Sequence, residues 1–137
     1  MVRRLQGDTL MKRALTAVLG LALAAAAAPS AMGQSGRIDS YIARLGPMDH
    51  YNGRDQRLTS AAAIIRQDRA NIHVYGSRDT EDEMDRYFAS AGNRARLEAM
   101  LAHGRAAPGV RSAIVNGQPL VRVDVWPDYV NVTILSN

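Results

Sequence analysis

The valine spacing near the C-terminus constrains the fold of this chain more than any other feature. Val121, Val123 and Val125 alternate with Arg122 and Asp124, and Val130, Val132 and Ile134 alternate with Asn131 and Thr133, on either side of Pro127-Asp128. Alternation with period two describes a strand that buries one face. With Pro127-Asp128 at the middle of a turn, Val125 faces Val130, Val123 faces Val132 and Val121 faces Ile134. All six apolar side chains then share one side of a hairpin, with Arg122, Asp124, Asn131 and Thr133 on the other. Proline cannot take a positive φ, so the spacing predicts a type I turn inside the four-residue loop Trp126 to Tyr129, not a tight primed turn. A lone hairpin is marginal in water, and its valine face needs a cover.

Helical spacing upstream is expected to provide it. Ile38, Tyr41, Ile42 and Leu45 fall at i, i+3, i+4 and i+7, which predicts a helix that stops before Gly46-Pro47. Thr59 or Ser60 is a natural N-cap for a helix from Ala61, with Leu58, Ala61, Ala62, Ile65 and Ile72 near one face and Arg66, Gln67 and Arg69 on or near the other. Ile72 to Tyr75 either continues that helix to Gly76 or forms a short third strand. Asp79 to Ser90 reads as a helix, with Thr80 and Glu83 as its capping box and Met84, Tyr87, Phe88 and Ala91 as its apolar stripe. Further helices are expected from Arg94 to His103, burying Leu97, Met100 and Leu101, and from Pro108 to Val115, stopped by Asn116-Gly117. The fold class is therefore α+β: a small single domain, residues 34–137, of three to five short helices followed by a C-terminal antiparallel β-hairpin.

Residues 1–33 have a different character. Lys12 and Arg13 precede the uncharged stretch Ala14 to Ala28, and Ala31 and Gly33 then place small side chains at −3 and −1 before Gln34. A positive head, an apolar middle and a small-residue end make a cleaved secretory signal peptide. The apolar run is shorter than a bilayer span, and Met11 is an alternative start to Met1. Without cysteine there is no lipidation site and no disulfide, so the exported chain must hold together by packing alone. The expected location is the bacterial periplasm or the exterior.

Most of the basic excess belongs to this leader. The whole chain carries 17 basic and 13 acidic side chains, but residues 34–137 hold 13 Arg against 12 acids. So even a balance does not suit a nucleic-acid backbone. Internal ion pairs, or a partner of mixed charge, suit it better.

No motif declares a reaction. The loop Asp49-His50-Tyr51-Asn52-Gly53-Arg54-Asp55 gathers the most reactive types, and Asp49 could orient His50 as a general base, but neighbours in sequence rarely face each other usefully. The loop also fails the spacing of a calcium site. The acidic run Asp79, Glu81, Asp82, Glu83 and Asp85 is read as first-turn charges of a helix, and Arg66/Arg69 and Arg94/Arg96 as solvated helix faces. His73 is expected at the surface or half-buried, and His103 at a helix C-terminus. No catalytic, cofactor-binding or metal-ligating residue is assigned. Trp126 and Tyr129, at the hairpin tip, are the candidate partner-binding residues, although stacking on each other would occupy them equally well. The leading expectation is a small exported accessory protein that binds another envelope or secreted protein. The alternatives are an envelope hydrolase using the Asp49/His50 loop and a self-associating structural protein pairing through its hairpin edge.

Overall fold

The computed structural model of the protein describes residues 36–137. The expected signal peptide and its cleavage point before Gln34 lie outside the described residues.

The hairpin adopts the register its valines dictate. Strands β2 (Leu120–Val125) and β3 (Val130–Ser136) pair antiparallel, with Val125 opposite Val130, Val123 opposite Val132 and Val121 opposite Ile134. The Trp126 N–H donates to the Tyr129 carbonyl at 2.9 Å and closes the four-residue loop. The five valines are buried and Ile134 is half-buried.

The third strand comes from the segment expected to be the first helix. Strand β1 (Asp39–Arg44) pairs antiparallel with β2, giving the sheet order β1-β2-β3. Tyr41, Ala43 and Leu45 are buried at period two, while Ile38 and Ile42 lie outside the core. Over eight residues the helical and alternating patterns overlap. The decision falls to β2, whose free backbone groups only a strand can satisfy.

Helix α1 (Ala61–His73) starts at Ser60, whose Oγ accepts from the Ala63 N–H at 3.1 Å. It runs through Ile72 and His73, so residues 72–75 supply no strand; exposed Val74 and Tyr75 follow, and Gly76 turns the chain at φ +67°. The expected helix from Arg94 to His103 is two helices, α2 (Ala91–Ala95) and α3 (Leu97–His103), parted at Arg96. Leu97, Met100 and Leu101 are buried as their spacing requires. Helix α4 (Val110–Asn116) ends before Gly117. One core joins the valine face of the sheet to Ile64 and Ile65 of α1, Phe88, Leu97, Leu101 and Ile114. The described residues make a small α+β fold of four α-helices and a three-stranded antiparallel sheet ending in the hairpin.

Residues Asp79–Ser90 do not form the expected helix. The acidic run lies along the outer edge of β1. Asp82 Oδ1 accepts from the Arg44 N–H at 2.8 Å, and Glu83 Oε2 from the Ile42 N–H at 2.9 Å. The Glu83 N–H in turn donates to the Ile42 carbonyl at 2.8 Å. These carboxylates close an edge that a helix over the same residues would leave open. The capping box of Thr80 and Glu83 therefore does not form, and Tyr87–Ala89 makes a single 3-10 turn.

Candidate functional site: an aromatic-rimmed cleft over a buried polar network

Helix α1 buries charge as well as hydrocarbon. Asp68, Arg69 and Asn71 are buried beside Ile64, Ile65 and Ile72. Arg69 was expected on the solvated face with Arg66; Arg66 is exposed, but Arg69 is fully enclosed. Its Nε donates to Asp68 Oδ2 at 2.7 Å, and its Nη1 to the Glu83 carbonyl at 2.9 Å and to Asp85 Oδ1 at 3.1 Å. The guanidinium lies 3.9 Å over the centre of the Tyr41 ring. Burial pushes the Asp68 carboxyl well up, against the pull of Arg69. His73, half-buried, brings Nε2 to 2.7 Å from Asp85 Oδ1. Arg94 is likewise buried, against the solvated-face expectation, with Nη1 given to the carbonyls of Phe88 and Ala89 at 2.7 and 3.0 Å. A buried guanidinium needs several acceptors, and both arginines take acceptors from the 79–90 segment, Arg69 adding Asp68 of α1 while its Nη2 is left without a partner.

The network continues into the loop that holds most of the reactive side chains. Asn71 Nδ2 donates to Asp49 Oδ1 at 2.7 Å, and the Gly46 N–H donates to Asp49 Oδ2 at 2.8 Å. Burial pushes Asp49 up to about 6, the Asn71 and Gly46 hydrogen bonds pulling it back and Asp79 and Asp82 adding to the rise. His50 is buried and does not pair with Asp49. Its Nδ1 lies 2.8 Å from the Gly46 carbonyl and its Nε2 2.8 Å from the Ile114 carbonyl, so the ring cross-links the loop to α4. The structure thus places Asp49 and His50 next to each other in sequence but sends them to different partners. Neither side chain faces solvent.

Above this floor opens a cleft of about 460 Å³ between the 47–55 loop and the C-terminal end of α1. Met48, Tyr51 and Tyr75 form its rim, being 69%, 43% and 68% exposed, with Gln67 in its wall and Asn71 at its floor. The rim is held in place by turn chemistry. Asn52 Oδ1 accepts from the Arg54 and Gln56 N–H groups at 2.9 and 3.0 Å, and Asp55 takes φ +57°. Gln67 Nε2 donates to Asn71 Oδ1 at 2.8 Å, joining the wall to the floor. Arg57 stands 5.6 Å over the Tyr51 ring from outside this cleft.

The hairpin tip is differently arranged. The Trp126 and Tyr129 rings stack on each other, with centroids 4.8 Å apart and planes 10° from parallel, and both are half-buried. Arg96 ties the tip to the helices by donating to the Pro127 carbonyl at 3.1 Å. Tyr51 belongs to the reactive loop legible in the sequence, whereas Met48, Gln67, Asn71 and Tyr75 become parts of a site only in the fold. Their one advance signal is Tyr75 itself, a large aromatic set beside Gly76 where a helix ends.

Among the described residues no three His, Asp or Glu side chains converge as metal ligands would. No described helix is long and apolar enough to cross a membrane. Comparison with protein-family models, with curated proteins and with solved structures finds no match for the chain.

Proposed function

We propose that the protein is a non-catalytic binding module that acts through contact with another protein of the bacterial envelope, as an inhibitor, accessory subunit or adaptor, and that the Met48–Tyr51–Tyr75 cleft is its contact surface. The observation that carries this reading is the exposure of three large side chains around a cleft whose floor is fixed by hydrogen bonds. Tyrosine and methionine are enriched in the cores of protein interfaces, where rigid aromatic anchors cost little entropy on binding and methionine adapts to its neighbours. The cleft also has the size of an ordinary binding pocket. The envelope assignment rests on the signal-peptide pattern of residues 1–33. Contact through Trp126 and Tyr129 has less to recommend it, since those rings already satisfy each other.

The test compares two double variants in the complex recovered from the protein's own host. Tyr51→Ala with Tyr75→Ala is expected to weaken the complex at least about tenfold with folding intact. Trp126→Ala with Tyr129→Ala is expected to leave affinity within about twofold. A complex that survives the first pair and is lost with the second moves the contact surface to the hairpin tip.

A further inference from the structure

A second cleft of about 410 Å³ adjoins the first and shares Asn52, Gln67 and Tyr75 with it. The shared residues set the two clefts side by side along α1, as two compartments of different chemistry. The first is lined by no Lys or Arg, and its single charge is Asp55. The second is bordered by the small side chains Ala63 and Ala70 and by the cation Arg66. Arg66 is exposed and enters no ion pair among the described residues. The other arginine there, Arg94, has already given Nη1 to the backbone.

Gln67 stands on the shared wall. One of its amide hydrogens goes to Asn71, which fixes the side chain, while its Oε1 and second amide hydrogen make no hydrogen bond among the described residues. A held primary amide with one free donor and one free acceptor complements the N–H and C=O of a peptide backbone.

We infer that the occupant of these two compartments is an extended segment of a partner polypeptide, with an apolar side chain in the Tyr51–Tyr75 compartment, a backbone amide against Gln67 and a carboxylate at Arg66. This inference rests on the cleft being the contact surface, and it adds the chemistry of what lies there. A compact small molecule would fill one compartment and leave the other. A neutral glycan would use the tyrosines and the amide but would gain nothing from an unpaired arginine. A polyanion would meet Asp55 in the first compartment, and in the second only Arg66 is an exposed cation, since Arg94 is buried. Only a chain whose character changes along its length matches both compartments.

The experiment pans a random peptide library displayed on phage against the purified protein, and measures the resynthesised peptides by fluorescence polarisation. Selected sequences are expected to carry an acidic residue on one consistent side of an apolar one. Arg66→Glu should weaken them about tenfold and select basic residues in place of the acid. Gln67→Ala should weaken all of them without changing side-chain preference. Failure to select any sequence, or selected peptides indifferent to Arg66→Glu, overturns the inference. So does displacement of the host partner by neutral chito-oligosaccharides but not by the peptides. A host complex abolished by Tyr51→Ala with Tyr75→Ala yet untouched by Arg66→Glu overturns the charged-segment inference and leaves the cleft as contact surface. A complex untouched by the tyrosine pair overturns both.

Discussion

Asn71 on α1 donates to Asp49 Oδ1 at 2.7 Å, and this bond ties the helix that walls the cleft to the loop that carries Met48 and Tyr51. The same side chain accepts from Gln67 at 2.8 Å. Asn71→Ala strands a buried carboxylate oxygen and frees the Gln67 amide, so it is expected to destabilise the fold by about 1–3 kcal/mol. Urea unfolding should show a lower midpoint at unchanged slope. A midpoint equal to that of the parent chain would mean that the bond contributes nothing net.

Asp49 also sets a pH dependence. Its carboxyl is raised from 3.8 to about 6 in the folded state, chiefly by burial. The folded chain therefore holds this proton more tightly than the unfolded one. Its contribution is fully present below the unfolded value and is lost as pH rises through about 6, which amounts to roughly 3 kcal/mol across the window. Asp68, raised by burial as well, acts with the same sign. The stability difference between the parent chain and Asp49→Asn, followed by urea titration, should shift against the parent by most of that amount, about 2 kcal/mol, from about pH 4 to pH 7. A difference constant across this range would refute the assignment.

The parts of the fold that were legible in sequence are those decided locally or by a simple period. The valine alternation determined the hairpin register, and the Ser60 hydroxyl marked the start of α1. β1 was hidden because Tyr41, Ile42 and Leu45 satisfy a helical period, and Ala43 carries too little hydrocarbon to advertise the alternation. The acidic run could be explained by a helix N-terminus, and nothing near it in sequence points to the β1 edge, some forty residues upstream, that it covers. The burial of Arg69 was illegible for the same reason. A guanidinium is read as solvated until its acceptors are known, and two of these lie 14 and 16 residues away on a segment with no regular structure. The candidate site inherits this limit. Its rim comes from the loop and from the residues just beyond α1, and only the fold brings them together.

Arg69 is enclosed with Asp68 and Asp85 and stacked on Tyr41, so removing it leaves Asp68 buried without its donor and Asp85 with His73 as its remaining side-chain partner. Arg69→Met is expected to cost about 3–5 kcal/mol. Arg69→Lys should recover little of this, because an ammonium cannot lie flat on the ring while donating to acceptors in a fixed fork. Thermal unfolding of both variants checks the point. A lysine variant within about 0.5 kcal/mol of the parent would show that charge alone is needed, not the planar group.

Gly104 closes α3 against the start of β3, and the contact leaves no room for a side chain. A Cβ on Gly104 would run into the Val130 carbonyl group, far inside any real contact. Its backbone, at φ −87°, is open to alanine, so the obstacle is purely steric. Relief requires α3 and β3 to part. That would strain the hydrogen bond from the Val132 N–H to the Arg105 carbonyl at 3.1 Å and the one from the Arg105 N–H to Asn131 Oδ1 at 2.7 Å. Gly104→Ala is therefore expected to destabilise by more than about 4 kcal/mol or to prevent folding. Gly109 gives the contrast: it takes φ +85° with nothing within 4 Å, so alanine there meets only backbone strain, about 1–2 kcal/mol. Circular dichroism and urea unfolding of the two variants separate the mechanisms. Equal losses would mean that the α3–β3 contact yields easily, and that steric exclusion at Gly104 does not govern the packing of the helices on the sheet.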